Sequence, residues 1–121
     1  MELSKTLPPK TASTVRAAIR AVIEASPDAT EIPYKMGQPR SRSMMWKLVR
    51  YSSGGENVAG IGTFAEHSTM FFYRGRELDD GKGLLKGTGK DTRFVTLRTP
   101  AAASSARVKR LLRAAFRLAA G

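Results

Sequence analysis

At 121 residues, 41% of them hydrophobic and 26% charged, the chain has the composition of one globular domain and is too short to bury two independent cores. The absence of cysteine excludes a disulfide framework, a thiolate zinc site and a cysteine nucleophile. A formal net charge of +11 raises a lasting positive potential, which favours anionic partners.

The opening MELSKTLPPK contains no apolar core of the signal-peptide type. No later stretch approaches the roughly 20 apolar residues of a membrane span. These features predict a cytoplasmic protein with no membrane partner. Residues 1–10, with Pro8 and Pro9 adjacent, read as a flexible arm, and residues 11–121 as a single domain. Thr11 or Ser13 is placed to cap a first helix, whose apolar residues Val15, Ala18, Ile19, Val22 and Ile23 recur at three-to-four spacing. Arg16, Arg20 and Glu24 share its opposite face, and Pro27 ends it near Ser26.

From Glu31 to Thr99 the pattern changes to five short β-rich runs: EIPYKM, MMWKLVRY, NVAGIGTFA, STMFFYR and TRFVTL. Turn chemistry separates them, and Ser-Ser-Gly-Gly at 52–55 suits a hairpin, so consecutive strands are expected to be antiparallel neighbours. After Pro100 a helix carries Val108, Leu111, Leu112, Ala115 and Ala119 on one face and Lys109, Arg110, Arg113 and Arg117 on the other. The expected class is α+β, an antiparallel sheet of about five strands with the N- and C-terminal helices packed on one face.

Such a sandwich leaves one sheet face to water. Alternation assigns Trp46, Leu48, Ile61, Val95 and Leu97 to the covered face. Lys47, Tyr51, Phe64, His67, Phe71, Tyr73, Phe94 and Arg98 fall on the open one, a surface both aromatic and basic, of the kind that meets a ligand or partner.

Familiar catalytic signatures fail on spacing or context. GLLKGTGKD at 83–91 puts five residues between its first Gly and the Gly-Lys pair, and Asp91 then precedes a strand, so it is not a Walker loop. Its Gly87-Thr88-Gly89-Lys90 core could still form an anion-binding nest assisted by Lys86 and Lys90, against the plainer reading of a glycine-bearing loop. Gly60, Gly62 and Ala65 match a dinucleotide fingerprint on paper, but a strand pattern follows where a helix must begin; the glycines are read as relieving crowding or marking a bulge. His67 is the single histidine, and no serine sits in a nucleophile elbow. Glu77, Asp79 and Asp80 are the only acids close enough in sequence to hold a hard cation together, and a solvated loop explains them as well. No catalytic residue, resident metal or cofactor is expected.

The order of EIPYKMGQP, AGIGTFAEHSTMFF and LLKGTGKDTRFVTL before a C-terminal helix resembles the YdhG-like family, a group of small bacterial domains of unknown function, over about residues 11–120. Gly37 with Pro39, the His67 hairpin and the GTGK loop carry the resemblance. It implies a sandwich of the frataxin type, and for one member an iron-chaperone role that depends on an acidic ridge. The corresponding region here offers Glu24, Asp28 and Glu31 among Arg16, Arg20 and Lys35, and the loop after Pro39 is cationic, with Arg40 and Arg42.

The leading expectation is a non-catalytic binding domain, monomeric or homodimeric, for a small anionic ligand or a protein partner. Its candidate site is Tyr34, Gly37, Pro39, His67, Tyr73, Lys86, Gly87, Gly89 and Lys90, where motifs bracket strand ends. The alternative is nucleic-acid binding, in which Arg107, Lys109, Arg110, Arg113 and Arg117 contact phosphates and the aromatic sheet face stacks on bases. A third is ferrous-iron binding at Glu24, Asp28 and Glu31.

Overall fold

The computed structural model describes residues 7–41, 43–80 and 83–121. Helix α1 (Ala12–Ala25) leads into strands β1 (Thr30–Pro33), β2 (Trp46–Ser53), β3 (Glu56–Thr63) and β4 (Ser68–Phe72). A 3-10 turn at Gly75–Glu77 precedes β5 (Arg93–Leu97), and two helices close the chain, α2 (Pro100–Ala103) and α3 (Ala106–Ala120). The strands form one antiparallel meander in sequence order, with the N- and C-terminal helices packed against it, so the α+β sandwich expected from the sequence is the fold.

Each connection has a local cause. Ser53 pairs with Glu56 across Gly54 and Gly55, whose φ angles of 60° and 81° are both positive, as a tight two-residue hairpin requires. Pro27 follows the end of α1 as expected. The start of α1 departs from expectation, because neither Thr11 nor Ser13 supplies a side-chain cap. The Thr11 hydroxyl turns back to the Pro8 carbonyl instead, and that carbonyl also accepts from the backbone N–H groups of Thr11 and Ala12. Residues 7–10 are thereby drawn onto the domain rather than forming a flexible arm: Leu7 is buried in the core and Lys10 pairs with Glu66 at 3.0 Å. The rest of the expected arm, residues 1–6, lies outside the described residues, as does Arg42.

The C-terminal helix is divided where one was expected. Thr99 caps α2 by accepting from the Ala102 N–H, and Ser105, in extended geometry, caps α3 by accepting from Val108 N–H. Ser104 and Ser105 offer the backbone local partners that compete with helix continuation, and the chain restarts there. Arg74 secures the far end. Its guanidinium meets both Glu77 oxygens at 2.7 and 2.9 Å and Glu56 at 3.2 Å, and it donates to the Leu118 carbonyl in the last turn of α3.

The core lies between the helices and one sheet face. Val15, Ala18 and Val22 of α1, Leu112 of α3, and Ile61, Met70, Phe72, Val95 and Leu97 of the sheet are all but fully buried. Ile23 was expected on the inner face of α1 but is 47% exposed, because the buried stripe is centred on Thr14, Ala18, Ala21 and Val22 and Ile23 falls outside it. Leu112→Ala should therefore lower stability by about 2–5 kcal/mol. Ile23→Ala should stay within about 0.5 kcal/mol of the parent. Urea denaturation followed by the fluorescence of the single Trp46 measures both, and equal losses would contradict this placement of the core.

Candidate functional site

The sheet register sorts side chains into two faces. Cross-strand rows Trp46, Thr63, Ser68, Leu97 and Val49, Ile61, Met70, Val95 face the helices. The alternate rows, Lys47, Gly62, Thr69, Thr96 and Arg50, Gly60, Phe71, Phe94, point to the helix-free side. A register shift between Lys47 and Val49 inserts Leu48 as an extra residue and reverses the alternation after it. Tyr51, expected on the open face, is therefore 1% exposed in the core, where its hydroxyl donates to Glu31 at 2.7 Å. Burial and that carboxylate raise the Tyr51 pKa, so the hydroxyl stays protonated and remains a donor. Arg50 takes the outward place that simple alternation denies it.

Two glycines shape the open face. A Cβ at Gly60 would stand 2.2 Å from Phe71 Cε2, and one at Gly62 would stand 2.7 Å from Met45 Sδ. The Phe71 ring and the Met45 thioether lie down on bare backbone of β3, and Phe71 is left 6% exposed. This bears out the reading that the glycines relieve crowding. Above this floor is a cleft of about 330 Å³. Phe64, Phe71, Phe94 and Met45 line its apolar part; Tyr34, Tyr73, Lys47, Thr69 and Thr92 supply its polar groups.

The polar groups converge at one wall. The hydroxyls of Tyr34 and Tyr73 are hydrogen-bonded to each other. Lys47 Nζ lies 5.7 Å and the Arg50 guanidinium 5.1 Å from the centroid of the Tyr34 ring, within range of cation–π attraction. Burial, then the hydrogen bond to Tyr34, raises the Tyr73 pKa, and Arg50 only partly offsets this. The Tyr73 hydroxyl therefore keeps its proton near pH 7 and can act as a donor. Among the described residues neither Lys47 nor Arg50 is paired with a carboxylate, and no acid or histidine lines the cleft. Arg50 Nε is buried with no hydrogen-bond partner.

The residues singled out from the sequence bracket this cleft unevenly. Tyr34 and Tyr73 meet in its wall. His67 lies beyond the opposite end, in the β3–β4 turn, its ring stacked on Phe64 with centroids 4.6 Å apart. Phe64 N–H donates to the His67 carbonyl at 2.8 Å, and the Thr63 hydroxyl lies within donating distance of the Phe64 and His67 carbonyls, at 2.9 and 3.2 Å. Pro39 lines an adjoining hollow of about 340 Å³ that shares Phe64 with the cleft, together with Pro8, Arg40, Met44 and Trp46. Trp46 Nε1–H donates to the Met36 carbonyl at 3.1 Å and ties the 34–45 loop to the sheet. Gly37 is exposed in that loop, with open space around it.

The GTGK segment takes a different part. Lys86 exchanges two backbone hydrogen bonds of 2.8 Å with Phe94 and covers the outer edge of β5. Gly87, with φ 124°, brings the chain against the Phe94 ring. The Arg93 guanidinium donates to the carbonyls of Gly89 and Thr92 at 2.6 and 2.9 Å, so this loop is held together through its acceptors. Lys90 is exposed beside it and does not line the cleft. Loop motifs therefore pointed to the two ends, whereas Met45, Thr69 and Arg50 were missed; the signal for Arg50 was hidden by the bulge at Leu48.

Other groups raised by the sequence are dispersed. Arg107, Arg110, Arg113 and Arg117 stand exposed on α3, and Lys109 is half-buried and pairs with Glu24 at 3.4 Å. Because α3 packs on the opposite side of the sheet from the aromatic face, the two surfaces expected to grip one nucleic acid together face apart. Glu24 and Glu31 have separate partners in Lys109 and Tyr51. Glu77 binds Arg74, while Asp80 accepts from the backbone N–H groups of Gly83 and Leu85. Among the described residues no three His, Asp or Glu side chains are grouped to hold a metal ion, and no helix is long and apolar enough to cross a membrane. Comparisons of the chain with protein-family models, with curated proteins and with solved structures found no match.

His67 gives a pH signature. Burial and the Arg98 charge lower its pKa, with Glu66 opposing. The unfolded chain, near about 6.5, then takes up a proton before the folded one does, so stability contributed here is lost as pH falls through that value. His67→Phe keeps the ring stack and removes the titration. Thermal melts between pH 7.5 and 5.5 should show a smaller fall in Tm for the variant; the same fall in both would overturn this reading.

Proposed function

We propose that the protein is a non-catalytic, cytoplasmic binding domain of the YdhG-like, frataxin-like type, and that the cleft on its helix-free sheet face takes a small anionic molecule with a flat apolar body. The observation that carries this reading is the pairing of an aromatic floor with two cations that lack carboxylate partners among the described residues, Lys47 in the lining and Arg50 against the Tyr34 ring, beside the hydroxyls of Tyr34 and Tyr73. A concave, mostly apolar recess with a few converging polar groups is the usual form of a small-molecule site, and its volume of about 330 Å³ is near the lower end for one. The described lining holds no carboxylate and no histidine, the side chains that most often exchange protons with a substrate, and this supports binding over turnover.

A nucleic-acid reading rests on a separate feature, the exposed ridge of Arg107, Arg110, Arg113 and Arg117 along α3. Its contacts would be with phosphates alone, since the aromatic face lies on the other side of the sheet.

A screen of aromatic and aliphatic carboxylates, phosphate esters and a single-stranded oligonucleotide, read by thermal shift and by amide NMR, separates these readings. The cleft reading expects stabilisation by a small anion, with shifted resonances at Lys47, Phe71 and Phe94. Lys47→Ala should weaken that binder by about tenfold, the loss of one charge-assisted contact of about 1.4 kcal/mol. No small-anion binder up to millimolar concentration, or one whose shifts map to α3, would sink it. Gly60→Ala adds a second check: its methyl must push the Phe71 ring up into the cleft, so binding should fall while the cooperative unfolding transition is retained.

A further inference from the structure

A buried hydrogen-bond donor without an acceptor is rare in a folded protein and usually marks a group whose partner is absent. Arg50 Nε is such a donor. It belongs to the outward row of β2, beside Gly60, where the missing side chain lets Phe71 reach across towards β2. The Tyr34 ring links Arg50 to the cleft: it lines the cleft and lies 5.1 Å from Arg50 Cζ, while the guanidinium itself is not part of the lining. The side-chain hydrogen bond that holds this ring in place is the one to the Tyr73 hydroxyl.

Resting on the cleft reading, we propose that the ligand is an aromatic monocarboxylate, that Arg50 is its carboxylate receptor through Nε–H and a neighbouring Nη–H, and that the Tyr34 ring tilts aside to admit it. Three features select this chemistry. The Nε and Nη edge of a guanidinium presents two parallel donors that match the two oxygens of a carboxylate. The lining itself carries one ammonium, Lys47, two paired hydroxyls and otherwise mostly apolar surface, which suits one negative charge better than the two of a phosphate monoester. Phe71 and Phe94, paired across β4 and β5, supply a floor on which a flat ring can lie. When Tyr34 moves, the hydroxyl pair separates, and each hydroxyl becomes free to donate to a carboxylate oxygen. The cations that held the Tyr34 ring then face the anion instead.

The test uses three probes with one ring system: 2-naphthoate, 2-naphthamide and 2-naphthyl phosphate. Titration of the full chain should give 2-naphthoate the highest affinity, at least tenfold above the amide and above the phosphate. One arginine Nε–H resonance, assigned to Arg50 by its loss in Arg50→Lys, should move downfield with the carboxylate and stay in place with the amide. Arg50→Lys keeps the charge but not the fork, and it should bring naphthoate and naphthamide to within about threefold of each other, chiefly by weakening the acid. Equal binding of acid and amide by the parent, or an Nε–H resonance indifferent to the acid, overturns the role of Arg50. Tighter binding of the phosphate overturns the carboxylate class. If another small anion occupies the cleft but no aromatic carboxylate does, this inference fails and the cleft reading stands; if the cleft stays empty with every probe and throughout the wider screen, both fail.

Discussion

The open face of the sheet depends on the contact between Phe71 and Gly60. β3 is the middle strand of five, and on its helix-free side positions 60 and 62 carry no side chains. An ordinary residue at Gly60 would fill the space that the Phe71 ring occupies, and the ring would stand up from the sheet. Because it lies flat, β3 becomes the bottom of a trough whose walls rise from β2 on one side and β5 on the other. Met45 does the same over Gly62 from the 34–45 loop. The loss of β propensity at two central glycines is offset from the other face, where Ala59 and Ile61 are fully buried against the helical layer.

One-sided helix packing also separates the charge of the protein into two distinct surfaces. The arginines of α3 project away from the core on the helical side, where Asp79 and Asp80 flank Arg107 and Arg110. On the sheet side Lys47 is exposed and Arg50 half-buried, and both sit against the Tyr34 ring rather than against acids. A long-range positive potential of the first kind concentrates anions near the whole molecule but has no shape to select among them. The second kind acts at short range, in a partly desolvated recess, where a single charge and its geometry decide what fits.

Much of the fold was legible because local signals agreed with one another. Five β-rich runs divided by turn residues became five strands in sequence order, and Gly54-Gly55 specified its hairpin through positive φ at both positions. What escaped were events that leave no periodic trace. A single extra residue at Leu48 exchanges the faces of everything after it in β2, so Tyr51 moved inward and Arg50 outward. The break between α2 and α3 rests on two hydroxyl caps inside what reads as one amphipathic run. The docking of residues 7–10 depends on the carbonyl of Pro8, which composition does not show. For the site, motif-based reasoning favoured loops, and loops supplied its ends; the floor came from long-range pairing between β3, β4 and β5, which only the register reveals.

The same bulge that hid Arg50 also gives it its situation. In an unbroken β2, Lys47, Val49 and Tyr51 would share the outer face, and the wall of the cleft would hold one cation and an additional tyrosine. Inserting Leu48 brings Lys47 and Arg50 onto one face three residues apart, both in reach of the Tyr34 ring, while Val49 and Tyr51 complete the core. A bulge in a strand that packs helices on its other side is constrained by that packing, since shifting the register back would expose Val49 and Tyr51 and bury a guanidinium among the helices. The outward position of Arg50, against the Tyr34 ring, is therefore secured by the hydrophobic core on the far side of the sheet and does not require any contact of its own.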